Sequence, residues 1–220
     1  MNINKLNNKG FTLVEIAIVL VIVGLLLAAF LTPLRAQLSQ RDNTETRNKL
    51  SDINEALLGF AISHTAVNGK PYLPCPDTDG DGAENRVANL CISVVGGLPY
   101  RDLGLVSTDS WGRNFIYRVT QTFADSTNGF TLALSGDITL LDAAGGNTIA
   151  INIPAIVISL GENGAVLPVV GADQAENTNG DVFFVSKSFT ELAANPFDDL
   201  LTWISPNVLM NRMVTAGKLP

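Results

Sequence analysis

Asp77, Asp79 and Asp81, spaced two apart and followed directly by Gly82, are the residues of this chain best placed to do chemistry. They sit in Pro74-Cys75-Pro76-Asp77-Thr78-Asp79-Gly80-Asp81-Gly82-Ala83-Glu84-Asn85. Carboxylates this close repel one another unless a hard cation neutralises them, and calcium takes roughly six to eight oxygens. The spacing is that of the first half of a calcium loop of EF-hand type. Gly82 falls at the sixth place, the Ala83 carbonyl at the seventh, and Asn85 at the ninth, where a bridging water would serve. The twelfth place, which calls for a bidentate glutamate, is Ala88, so the pattern stops halfway. Glu84 in a different wrap, or a distant acid such as Glu176, Asp198 or Asp199, could supply the missing oxygens. The competing reading is a solvated acidic turn, because Asp and Gly favour turns on local grounds.

The chain has two cysteines, Cys75 and Cys91, and they flank this loop. A bridge between them would close a loop of about 15 residues, worth roughly 3 kcal/mol in the chain-entropy model. The expectation is a disulfide-stapled, calcium-ordered loop over residues 75–91.

A second charged residue stands out by its surroundings. Glu15 lies near the start of an apolar run from Phe11 to Leu31. Such a run spans roughly 30 Å as a helix, one hydrocarbon core. A carboxylate placed in lipid costs about 2.5 kcal/mol or more, so one kept there needs a partner. Lys5 and Lys9 precede the run with no acid among them, which holds the N-terminus in the cytoplasm and sends the rest of the chain across. The run is too long for a secretory signal peptide, so it is expected to be retained.

Other chemistry finds little support. The single histidine, His64, follows Leu57 and Phe60 at helical spacing and is expected to pack or cap there. No Gly-x-Ser-x-Gly elbow, HExxH, CxxC or Walker glycine loop accompanies it. The chain is therefore not expected to be an enzyme. Its formal charge is −7, from 14 basic and 21 acidic side chains. Without Lys5 and Lys9 the balance is 12 − 21 = −9. With no basic cluster, no nucleic-acid partner is expected. Trp111 and Trp203 read as core residues before they read as adhesive ones.

The elements that must position these residues emerge from periodicity. Leu50, Ile53, Leu57 and Phe60 form an apolar stripe opposite Arg47, Lys49, Asp52 and Glu55, an amphipathic helix ended by Asn68-Gly69 and Pro71. The stretch from Gln37 to Arg47 is polar nearly all round and suits a solvated stalk or a subunit contact. Residues 71–114 read as a long ordered loop region. Strands are expected over 115–119, 130–134, 149–153, 155–159, 182–185 and 200–204. Ser205-Pro206 opens a last helix that Gly217 closes. The fold class is α+β, a long helix on an antiparallel sheet.

The segment Lys9-Gly10-Phe11-Thr12-Leu13-Val14-Glu15 closely resembles the cleavage and methylation motif of type IV prepilins and type II secretion pseudopilins. The resemblance implies a pilin-like fold and a prepilin peptidase that cuts between Gly10 and Phe11. It implies methylation of the new Phe11 amine, and a Glu15 that neutralises the Phe11 amine of a neighbouring subunit. It divides the chain into a leader (1–10), a transmembrane and assembly helix (11–33), an amphipathic helix continuing into the head (34–68) and a β-rich head (69–220). Where many pilins carry a proline, this chain has Thr32 and places Pro33 next. Segments 98–105, 109–113 and 197–200 look like those of large minor-pilin-like proteins. The implied partners are other pilin or pseudopilin subunits, the prepilin peptidase and the inner membrane, with the head in the periplasm before assembly into a periplasmic or surface filament. The expected role is a minor structural subunit of a type IV pilus or type II secretion filament. The alternative is a calcium-dependent adhesin at the filament tip.

Overall fold

The computed structural model describes residues 10, 12–164 and 171–220, with the side chains of 28–36 outside that description. Phe11, the expected methylation site, is likewise outside it. Two compact units divide between Asp42 and Asn43. The long helix α1, Leu13–Ser63, runs through both and through Pro33. It stops five residues short of the Asn68 expected from sequence, because Gly69, at φ +83°, turns the chain inside a small bridge between Thr65 and Pro71.

In the first unit, α1 opens with a reciprocal cap. The Thr12 N–H and hydroxyl both donate to the Glu15 carboxylate at 2.8 Å, and the Glu15 N–H donates back to the Thr12 hydroxyl at 3.3 Å. This is a capping box, which satisfies N–H groups that the first turn leaves without helical partners. The described side chains beyond it are apolar and exposed all round, from Leu13 to Leu27. Among the described residues no helix is long and apolar enough to cross a membrane. The expected span 11–33 includes Phe11 and side chains 28–33, which lie outside the description.

In the second unit, the Asn43–Ser63 part of α1 packs on a four-stranded antiparallel sheet. β3 (Val95–Gly97), β4 (Ile116–Val119), β7 (Ala155–Ser159) and β9 (Leu200–Trp203) lie in that order. The predicted stripe is the packing face: Leu50, Ile53, Leu57 and Phe60 are all buried, while Arg47, Asp52 and Glu55 are exposed. Facing them are Phe115, Tyr117 and Val119, with Leu209 and Met213 of α4 (Pro206–Thr215) closing the same core. Burying a side chain of this size is worth about 1.5–3 kcal/mol. In the polar stretch before the stripe, the fully buried Thr46 hydroxyl accepts the Ser110 N–H at 3.2 Å.

The opposite face of this sheet covers a second sheet. β5 (Ile138–Leu141) lies between β6 (Thr148–Ile153), antiparallel, and β8 (Phe183–Val185), parallel. Ile138, Leu140, Ile153, Ile156, Ile158 and Phe184 fill the space between the sheets. Trp111 and Trp203 pack against the two cores. The α+β expectation holds, but the expected single antiparallel sheet is corrected by this second sheet with its parallel β5–β8 pair, and the strands differ over 130–141. Residues 130–134 form a turn and not a strand: the Phe130 N–H donates to Pro71, and Phe130 is buried against Phe123. The strand falls instead at Ile138–Leu141.

The region read as loop, 71–114, holds short elements. β1 (Arg86–Val87) and β2 (Leu90–Cys91) form a hairpin turned by Ala88 and Asn89, both at positive φ. A short helix α2 (Tyr100–Leu103) comes after β3. The short helix α3 (Ala172–Glu176) precedes β8.

Candidate functional site

The acidic loop is built from both ends. At one end Cys75 and Cys91 are joined by a disulfide across a Cα–Cα distance of 5.2 Å, with Cys75 fully buried. At the other, Asp77 is laced to β3: its N–H donates to Gly97 at 3.0 Å, and its carbonyl accepts the Gly97 N–H at 2.7 Å. A Cβ on Gly96 would stand 2.5 Å from the Asp77 carbonyl oxygen, so only glycine lets the loop come this close.

Within that frame the three carboxylates converge. Asp77, Asp79 and Asp81 each offer an oxygen, and these oxygens lie within 4.8 Å of one another. Asp77 is buried; Asp79 and Asp81 are exposed. The Asp77 carboxylate organises the turn. One oxygen accepts the N–H groups of Asp79 and Gly80, at 3.2 and 2.7 Å, and the other accepts that of Gly82, at 2.8 Å. Burial pushes its pKa up, but these N–H donors together outweigh burial and hold it below the ordinary carboxylate value. Asp77 is therefore ionised at neutral pH. As hard oxygen donors the three aspartates could hold a metal ion of the calcium kind.

Two of the other expected ligands, Glu84 and Asn85, are engaged elsewhere. The Glu84 carboxylate accepts the Cys75 N–H at 2.9 Å and pairs with Arg86 at 2.7 Å. Arg86 also donates to the carbonyls of Leu73, Asn89 and Ala124 and lies over the Tyr72 ring. Glu84 thus anchors the neck of the loop and does not reach the aspartates. The Asn85 side-chain oxygen accepts the N–H and hydroxyl of Thr78, at 2.6 and 3.0 Å. The Ala83 N–H donates to Asp81 at 2.8 Å. From the far side α2 supports the loop: Asp102 accepts the Glu84 N–H at 2.7 Å, and Arg101 donates to the Asp81 carbonyl at 3.0 Å.

The distant acids gather in a network of their own. Asp198 accepts the Asn163 N–H at 2.8 Å and the Gln174 amide at 2.6 Å. Asp199, buried beside it, accepts the Asn177 amide at 2.7 Å. Asp173 takes Lys187, Asn195 and the Ala144 N–H. Glu176 shares Asn179 with Asp181. Among the described residues no third carboxylate joins Asp198 and Asp199. Burial drives Asp199 up to about 7, with the Asn177 amide opposing and the Asp198 charge adding to the rise. Sequence reasoning named these two acids only as distant ligands for the acidic loop, because only the tertiary fold brings their amide partners together.

His64 does what its spacing suggested. Its ring stacks on Phe60 at 3.8 Å, and Nδ1 lies 2.9 Å from the Ser63 hydroxyl. Another buried acid, Asp109, pins the Asp109-Ser110-Trp111-Gly112-Arg113 turn: it accepts the Trp111 and Arg113 N–H groups at 2.9 Å and the Ser159 hydroxyl at 2.6 Å.

Comparison with known families supplies the remaining observation. Residues 5–31 match the family model described as the prokaryotic N-terminal methylation motif. The N-terminus is of the type IV pilin and pseudopilin kind. No curated protein and no solved structure matches the chain. The matched segment contains Gly10, the capping Thr12 and Glu15, and it ends at Leu31.

Proposed function

We propose that this chain is a structural subunit, of minor-pilin or pseudopilin type, in a type IV pilus or type II secretion filament. The observation that carries the reading is the methylation motif over residues 5–31, whose described part 13–27 is an exposed apolar helix with one acid, Glu15, in its first turn. Apolar surface of this extent needs lipid or neighbouring helices to cover it. In this reading a prepilin peptidase cuts between Gly10 and Phe11, and the Phe11 amine is methylated. Residues 11–33 hold the subunit in the inner membrane with its head in the periplasm, until Glu15 meets the Phe11 amine of a neighbour and the helices pack in the filament. An amine and a carboxylate that meet in lipid offset each other's desolvation. The reciprocal cap supports this, since it holds the Glu15 carboxylate at the helix N-terminus where such an amine would arrive.

The acidic loop supports a finer reading: Asp77, Asp79 and Asp81 hold a calcium ion that stiffens the head. Their shared geometry is the observation behind it. Calcium would supply charge compensation there, and the protein supplies the prearranged turn.

Mass spectrometry of the N-terminal peptide, from sheared filaments and from membranes, tests the main reading. N-methyl-Phe11 in the filament fraction is expected for a pilus subunit, and processed peptide confined to membranes for a pseudopilin. An uncut leader in both fractions would overturn it.

A further inference from the structure

Beside the acidic loop the head carries a cleft of about 580 Å³. That volume lies in the range of small-molecule sites, roughly 300–1,000 Å³. One wall is the inner side of the acidic loop, Asp77, Thr78 and Gly80. The floor is β3 with Leu98, and the far wall is the segment Asn114–Ile116 with Ser107. Tyr100 stands at the rim. The walls are fixed before any ligand arrives. Asp77 is laced to Gly97, Ser107 accepts the Phe115 N–H at 3.1 Å, and the Tyr100 ring packs on Gly82.

The chemistry of the lining is two-sided. Val95 and Ile116, both half-buried, give an apolar surface, with the buried Leu98 and Phe115 behind it. The Tyr100 hydroxyl, the Ser107 hydroxyl and the Asn114 side-chain amide line the same space, and none makes a side-chain hydrogen bond to another described residue. Together they offer donors and acceptors in matched supply. Asp77 is the one charged side chain of the lining, and both its oxygens already accept backbone N–H groups. Asp77 is already used in the calcium reading of the acidic loop, and an anionic ligand would face that loop.

We propose that this cleft binds a neutral, hydroxyl-rich ligand of the saccharide class, one or two pyranose rings long. A pyranose presents a C–H face that suits the apolar wall and ring hydroxyls that suit the three uncommitted groups. The inference goes beyond the filament reading and does not depend on it: processing is read at the N-terminus, binding in the head.

The test uses the full chain in micelles of a detergent without a sugar headgroup, such as lauryldimethylamine oxide. Saturation-transfer NMR is recorded with maltose, cellobiose, lactose and N,N′-diacetylchitobiose, and with trilysine as the charged comparison. Saturable binding of at least one disaccharide is expected. Ser107→Ala and Asn114→Ala should each weaken it by about tenfold, the effect of one lost hydrogen bond. Thr148→Ala, on β6, should leave it unchanged. Failure of all four disaccharides to bind would overturn the proposal. So would binding that survives both cleft substitutions intact, or binding of trilysine alone.

Discussion

Replacing Asp199 by asparagine should remove a pH dependence that the fold imposes on this head. Asp199 is 4% exposed. Burial drives its pKa up, the Asn177 amide opposes that, Asp198 adds to it, and the outcome is about 7 against an ordinary 3.8. The folded chain therefore keeps a proton that the unfolded chain releases near pH 4. Where the folded state holds the extra proton, stability falls as pH rises. This contribution is fully present below about pH 4 and is lost as pH climbs through about 7. A shift of about three pH units corresponds to about 4 kcal/mol over the whole titration, of which about 3 kcal/mol falls between pH 5 and pH 8. Asparagine is neutral throughout and has the shape of the protonated acid, so Asp199→Asn should lack that slope and gain most over the parent at pH 8. Asp77, Asp125, Asp142 and Asp173 titrate in the opposite sense, but their pKa values lie below 3.8, outside this window. Glu176, also raised, is present in parent and variant alike, while Asp198 interacts with Asp199, so the comparison reports the pair. Urea unfolding of the full chain in micelles, monitored by Trp111 and Trp203 fluorescence at pH 5 and pH 8, measures the difference. A parent chain that grows more stable from pH 5 to pH 8, or an Asp199→Asn chain that keeps the full parental slope, would refute the reasoning.

Three further outcomes are expected. Cys75→Ser with Cys91→Ser should cost roughly 3 kcal/mol in the same urea experiment, and reductant should reproduce the loss in the parent. Excess calcium should raise the Tm of the parent above its value in chelator, and Asp79→Asn with Asp81→Asn should abolish the difference; equal Tm values in the parent would remove the metal from the reading. Gly82→Ala should cost about 1–3 kcal/mol, because Gly82 sits at φ +86° and a Cβ there would meet the Tyr100 ring at 2.5 Å; an unchanged urea midpoint would contradict this.

Where local pattern and tertiary demand coincide, the sequence was enough. Leu50, Ile53, Leu57 and Phe60 could be read as a buried face because a 3.6-residue period needs no knowledge of what lies opposite. The same holds for β7, whose five residues are all buried, and for the Ser205-Pro206 start of α4. The acidic loop and its bridge were legible because Asp, Gly and Cys act through short-range rules. Phe130–Leu134 misled because its apolar composition serves one buried ring and a turn, while Ile138–Leu141 hides next to Gly136-Asp137. The roles of Glu84 and Arg86 were not legible, since the carbonyls that Arg86 gathers come from Leu73, Asn89 and Ala124, far apart along the chain. The buried acids Asp109 and Asp199 are hidden for the same reason: their partners Ser159 and Asn177 are distant in sequence.

The core shared by the two helices also sets an order of events. Leu57 of α1 and Leu209 of α4 belong to one cluster, with about 150 residues between them, and Leu219 joins it later still. A chain that emerges from its N-terminal side therefore carries an incompletely covered apolar core until its last helix arrives. Contacts so far apart in sequence form slowly, and an open core invites association with the wrong neighbour. Closing the head is then a timed step, and a head lacking α4 would present its sticky face where a finished subunit presents only its outer one.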